Sequence, residues 1–265
     1  MAFYPAQLPA PLRRAFWAAA YQLMARIVQR ADWRLMNYGY EPADPAQRPA
    51  LDPADENDRT CIQLYHHVAT QRPVAGLRVL EVGAGRGGGA SYVARCLGPA
   101  EVVGLDRSAQ AVALANRNLA RPGLRYVVGD AEAIPLPDAS FDVVLNVESC
   151  HCYGSVPAFL AEVRRVLRPG GHLLLTDLRL AERLPQFEAE LAASGMEVVE
   201  RTEITADVVR GLRADSARRE RLIAESGVWG FRGALQAFAA TEGSKTFRDL
   251  ESGAFRYVTV VLRRG

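Results

Sequence analysis

The chain has little cysteine: Cys61, Cys96, Cys150 and Cys152 are the only four in 265 residues. Apart from one C-x-C pair they are scattered, which matches no disulfide framework and suits a reducing, cytoplasmic compartment. Cys150-His151-Cys152 invites a metal, but structural zinc needs about four ligands and no second pair accompanies it, so no metal is expected. Charge of one sign is also lacking. The 32 basic residues stand against 30 acidic ones, a net charge of +2, too weak a field to argue for nucleic acid as a partner. No apolar run reaches the roughly 20 residues needed to span a bilayer. The first residues lack the charged end, clean apolar stretch and cleavage site of a signal peptide. With 49% hydrophobic and 23% charged residues, near globular averages, a soluble protein of one domain plus appendages is expected.

Periodicity and punctuation divide the chain in two. Residues 1–75 predict an amphipathic helix near Pro11 to Arg30, a proline-rich link through Pro42, Pro45, Pro49 and Pro53, and a second helix near Asn57 to Thr70. This segment is expected to be a helical accessory lid on a domain spanning 76–265. In that domain short apolar runs alternate with helical patterns, as in successive βαβ units. The runs RVLEV, EVVGL, LRYVV, VVLNV and HLLLTD predict parallel strands. Helices are expected at Gly88 to Leu97, Ala109 to Leu119, Val156 to Leu167 and Ala181 to Ala193. Arg168-Pro169-Gly170-Gly171 should stop the third of these and turn the chain into a strand starting at His172. MEVVERTEI and the terminal FRYVTVVLRR read as a closing antiparallel pair around a helical insertion, 206–238. Within the insertion Val228, Phe231, Leu235 and Phe238 form a stripe, with Trp229 beside it. The fold class expected is therefore α/β: a Rossmann-like, seven-stranded, mostly parallel sheet with helices on both faces.

The run RVLEV leads into Gly83-Ala84-Gly85-Arg86-Gly87-Gly88-Gly89 and then a helix, which puts glycines where backbone must approach a ligand at the carboxyl edge of a sheet. A glycine-rich loop alone also marks dinucleotide binders. The next strand ends at Asp106, followed by Arg107, and an acid there can accept hydrogen bonds from ribose hydroxyls. The third ends in Gly129-Asp130-Ala131-Glu132, where a carboxylate can hold an adenine amino group. The fourth contributes Asn146 to the same crevice. Glu81 separates the candidates, because a carboxylate beside the glycines repels a pyrophosphate but suits a ligand carrying an ammonium and a sulfonium.

In order, EVGAGRG, GLD, GDAEAIPLPDASFDVVLNVES and LRPGGHLLLTD resemble the motif series of class I S-adenosylmethionine-dependent methyltransferases. NVESCHCY, TDLR, MNYGY and RTCIQLYHHVAT are similar to the small-molecule O-methyltransferases of the phenolphthiotriol dimycocerosate type, which act on lipid and polyketide hydroxyls, and more distantly to antibiotic sugar O-methyltransferases. The resemblance implies S-adenosylmethionine as cofactor, Glu81, Gly83, Gly85, Asp106, Arg107, Asp130, Ala131, Glu132 and Asn146 around it, and a hydrophobic acceptor. It also implies His151 as general base and Asp177 as its orienting acid. Histidine suits that task because its ordinary pKa lies near neutrality. Tyr38 could bring a phenol near the sulfonium from the amino-terminal segment. His66 and His67 are adjacent on a helix, so their side chains diverge by about 100° and form no metal pair. C- or N-methylation, a cyclisation on the same fold, and a homodimer stay open.

Overall fold

In the computed structural model, which describes residues 34–225 and 232–265, the branched apolar runs form a seven-stranded sheet. Its strands are β1 (Arg78–Val82), β2 (Glu101–Asp106), β3 (Leu124–Val128), β4 (Phe141–Val147), β5 (Leu167–Leu180), β6 (Glu197–Glu203) and β7 (Phe255–Arg263). Their order is β3-β2-β1-β4-β5-β7-β6. Neighbours are parallel from β3 to β5, and β7 runs antiparallel to both β5 and β6. Sequence order reverses between β1 and β4, and this opens a crevice outside their carboxyl ends.

Eight α-helices occur among the described residues: α1 (Arg59–Ala69), α2 (Gly88–Cys96), α3 (Ala109–Leu119), α4 (Val156–Val166), α5 (Leu184–Ala192), α6 (Thr205–Glu225), α7 (Arg232–Phe238) and α8 (Lys245–Glu251). Serine hydroxyls cap three of them: Ser108, Ser155 and Ser244 accept from the backbone N–H groups of Ala111, Ala158 and Phe247. Strand alternation divides the core between two faces. Val79, Val143, Leu145 and Leu174 pack with α1, α2, α3, α6 and α8, whereas Leu80, Val144, Leu173 and Leu175 pack with α4 and α5. Glu81 occupies an inward position on the α1 face, where it meets Tyr65.

The five parallel strands lie within two residues of the runs that predicted them, except β5. That strand begins at Leu167 rather than His172, because Phe141 pairs Leu167 and then Val143 pairs His172. Arg168 to Gly171 bulge out between these pairs and bond to Arg264 of the chain end. The strand also runs past Asp177 to Leu180, since β7 continues to pair there after β4 has ended at Val147 opposite Thr176. Asp177 therefore stands just beyond the parallel edge, on a strand still held on its other side. A 3-10 turn, Ala181–Arg183, replaces the start expected for α5. The insertion is longer than expected, running from Thr205 through α8. Leu235 of its apolar stripe is buried against Ile223, while Val228, Trp229 and Phe231, like the expected helix at Pro11 to Arg30, lie outside the described residues. No helix among the described residues is long and apolar enough to cross a membrane.

Candidate active site

At the β1/β4 crevice the structure holds a cavity of about 190 Å³, far above the roughly 10–15 Å³ that a single water requires. Gly83 and Gly85 form its floor, at φ of 80° and 53°. These left-handed values favour glycine, and a Cβ on Gly83 would lie 2.3 Å from Ser149 Oγ. Asp106 lines the wall; its Oδ2 accepts from Gly85 N at 2.7 Å and its Oδ1 from Ser108 N at 2.8 Å. Burial pushes its pKa up, against those backbone hydrogen bonds. Arg107, Asp130, Ala131 and Glu132 line the same wall. Asp130 Oδ1 accepts from Glu132 N at 3.0 Å, and Glu132 Oε1 from Gly154 N at 2.8 Å. Arg34, Leu35, Met36 and Asn37 also line the cavity; the last two open the MNYGY run that carries part of the resemblance.

Three of the residues expected at the cofactor stand behind this wall rather than on it. Glu81 is fully buried beneath the glycine loop; its Oε1 accepts from Tyr65 OH at 2.7 Å, and Tyr65 itself lines the cavity. Glu81 Oε2 has no hydrogen-bond partner among the described residues, and burial raises the pKa to about 7, against hydrogen bonds from Tyr65 and the Ala90 backbone. Asn146 is also fully buried. Its Nδ2 lies 2.9 Å from Val82 O and 2.8 Å from Ser149 Oγ, so it braces the ends of β1 and β4. Tyr38 contributes its backbone rather than its phenol: its N–H donates to Glu148 Oε1 at 2.6 Å.

His151 sits in a 3-10 turn, Cys150–Cys152, just after β4. The β5 extension brings Asp177 against it, with His151 Nδ1 2.7 Å from Asp177 Oδ1. Asp177 has no exposure and is surrounded by donors. Its Oδ1 also accepts from Leu178 N at 2.8 Å, and its Oδ2 accepts from His151 N at 2.8 Å and Cys150 Sγ at 2.9 Å. The Arg179 guanidinium is 3.0 Å from the same Oδ2 and stacks 4.0 Å from the Phe187 ring centroid. Burial alone would raise the Asp177 pKa, but the charges of His151 and Arg179 overcome it and hold the carboxyl ionised. Burial likewise pulls His151 down, and Asp177, aided by Cys152, outweighs it and carries the imidazole well above its ordinary value.

Glu148 lines the cavity and interacts with both His151 and Asp177, and sequence reasoning missed it. Its φ of 48° is costly for a non-glycine residue, about 1–3 kcal/mol. Burial raises its pKa to about 7, against hydrogen bonds from Tyr257 and Tyr38. The signal was present, since Glu148 directly follows β4 as Asp130 follows β3 by two residues. His66 and His67 are structural: one bonds Tyr92 OH, the other stacks on Tyr40 and bonds Thr259.

A family model described as a methyltransferase domain matches residues 80–175. A phthiotriol/phenolphthiotriol dimycocerosates methyltransferase of Mycobacterium leprae is 40% identical over 241 residues, 91% of this chain and 89% of that protein. The chain belongs to the class I S-adenosylmethionine-dependent methyltransferases. A fatty-acid O-methyltransferase of Mycolicibacterium smegmatis is 43% identical over 203 residues, 77% of this chain and 74% of that one. The geranyl diphosphate C-methyltransferase of Streptomyces coelicolor, solved with S-adenosylhomocysteine, has the same fold. It superposes with a TM-score of 0.67 at 18% identity, covering 97% of this chain and 100% of that one.

The residues of this methyltransferase fit its cofactor, S-adenosylmethionine. The glycine floor leaves room that a Cβ would fill, acids stand at three successive strand ends, and the orphaned Glu81 Oε2 lies buried next to Tyr65 of the cavity wall. That donor set suits a ligand bearing an ammonium, ribose hydroxyls and an adenine amino group.

Proposed function

We propose that this methyltransferase methylates a hydroxyl of a large lipid or polyketide acceptor, with His151 as general base and Asp177 as the acid that orients it. Bound S-adenosylmethionine supplies an electrophilic methyl group. An alcohol is scarcely ionised near neutral pH, so removal of its proton during attack is worth about 10²–10⁴ in rate. In this reading Asp177 holds His151 at Nδ1, the proton is taken at the ring's other nitrogen, Nε2, and Asp177 then stabilises the imidazolium. The observation that carries this reading is the 2.7 Å His151–Asp177 contact, in the turn whose neighbours Ser149 and Cys152 line the cofactor cavity, with Asp177 locked by further donors. The name of the phthiotriol/phenolphthiotriol dimycocerosates methyltransferase supports a lipid acceptor. The described residues 34–37 and Tyr65, which line the cavity, belong in this reading to a lid that shapes the acceptor site and excludes water.

The test is His151→Ala. Turnover should fall about 10²–10⁴-fold while affinity for S-adenosylhomocysteine stays the same. Undiminished turnover would remove His151 as base.

A further inference from the structure

Glu148 is fixed on one side and open on the other. Its Oε1 accepts from Tyr38 N–H of the amino-terminal segment and from Tyr257 OH of β7, and its own N–H donates to Thr176 O at 2.9 Å. These three bonds, from three separate elements, hold the residue in its left-handed backbone conformation. Glu148 nevertheless lines the cavity, and Oε2 takes no hydrogen bond from the described residues. Its charge acts directly on His151. A residue of the cavity wall that acts on the base thus carries a carboxylate oxygen with no bond from the described residues.

We propose that Glu148 is the specificity-determining residue of the acceptor site: its Oε2 accepts a hydrogen bond from the acceptor's hydroxyl, and its charge excludes acceptors that present a carboxylate. The proposal rests on the reading of His151 as the base for a hydroxyl. Around the base the carboxylates of Glu148 and Asp177 already stand against the cations of His151 and Arg179. The phenols of Tyr38 and Tyr257 and the thiol of Cys150 are neutral, because burial first, and then nearby carboxylates, push each of them up. An alkyl carboxylate would therefore bring an unpaired charge into a buried site, which is strongly unfavourable. A hydroxyl brings a donor where the protein presents an unused acceptor.

The test compares binding of 1-decanol and decanoate to the protein saturated with S-adenosylhomocysteine, by calorimetry at pH 8.5. The wild type should bind decanol at least about tenfold more tightly. Glu148→Gln keeps an amide oxygen for Tyr38 and Tyr257 and should narrow the ratio to about threefold or less, mainly by gaining decanoate affinity. Glu148→Ala, a second neutral variant, should narrow it likewise. An unchanged ratio in a variant that still binds S-adenosylhomocysteine, or a wild type that prefers decanoate, overturns the proposal. So does a loss confined to S-adenosylhomocysteine affinity, which would assign Glu148 to the cofactor. Binding is read without turnover, so full activity of His151→Ala would sink the base reading while leaving this ratio to stand or fall separately.

Discussion

Two acids at the carboxyl edge of the sheet, Asp106 and Asp177, are held in opposite ways. Asp106 is held by main chain, taking N–H groups from the glycine loop and from the residue two places on. Asp177 also takes two N–H groups, but its charge is matched by side chains, the guanidinium of Arg179 and the imidazole of His151. The difference follows from their tasks. An acid that meets a cofactor common to a whole family can be built from a local strand-loop-helix motif. An acid that tunes a base must be set by charges brought from elsewhere in the fold.

The comparison can be broken most sharply by neutralising each acid. Asp177→Asn leaves the buried Arg179 guanidinium without its counterion and should cost about 3–5 kcal/mol of stability. Asp106→Asn keeps an oxygen for only one of the two N–H groups but strands no buried cation, and should cost less, about 1–2 kcal/mol. Denaturant unfolding reads both, and equal losses would erase the distinction. The same contrast has a pH dependence. Asp177 has a folded pKa below its unfolded one, so its contribution is present above about pH 4 and disappears as the pH falls further. His151 has the opposite sign: its contribution is complete below about pH 6.5 and is lost as pH rises through the elevated folded value.

Next in size is the main-chain side of the comparison. Gly83→Ala drives a Cβ into Ser149 at a backbone angle that already disfavours it. Calorimetry should show S-adenosylhomocysteine binding weakened about ten- to hundredfold, the equivalent of about 1–3 kcal/mol of strain. The smallest effect concerns side-chain tuning. Arg179→Gln removes the cation that competes with His151 for Asp177 and should raise the His151 pKa by about one unit, followed by NMR titration of the ring. No change would mean that Arg179 only packs on Phe187.

Much of this was legible in the sequence, for reasons that track the same divide. Gly83, Gly85, Asp106 and Asp130 sit within a few residues of apolar strand runs, so punctuation alone brings them to one edge. Arg179 was not legible: it shares a face with Asp177 only because the strand runs on past Asp177. The β5 extension was not, because it depends on a strand nearly 80 residues later. Helix α8 is only seven residues long, with Phe247 and Leu250 as its buried pair, too short for a periodic signal. Tyr38 shows a further limit: a pattern can bring a residue to a site without saying that its backbone, not its ring, will make the contact.

The central claim, that His151 is the base, is tested most directly by titrating its ring by NMR while measuring turnover on a hydroxylated lipid from pH 6 to 10. Asp177 holds the imidazole protonated above its ordinary range, so turnover should be low at pH 6 and rise with a midpoint above 7 that coincides with the ring's titration. Turnover that stays flat while the ring titrates, or that peaks while the ring is still protonated, would contradict it.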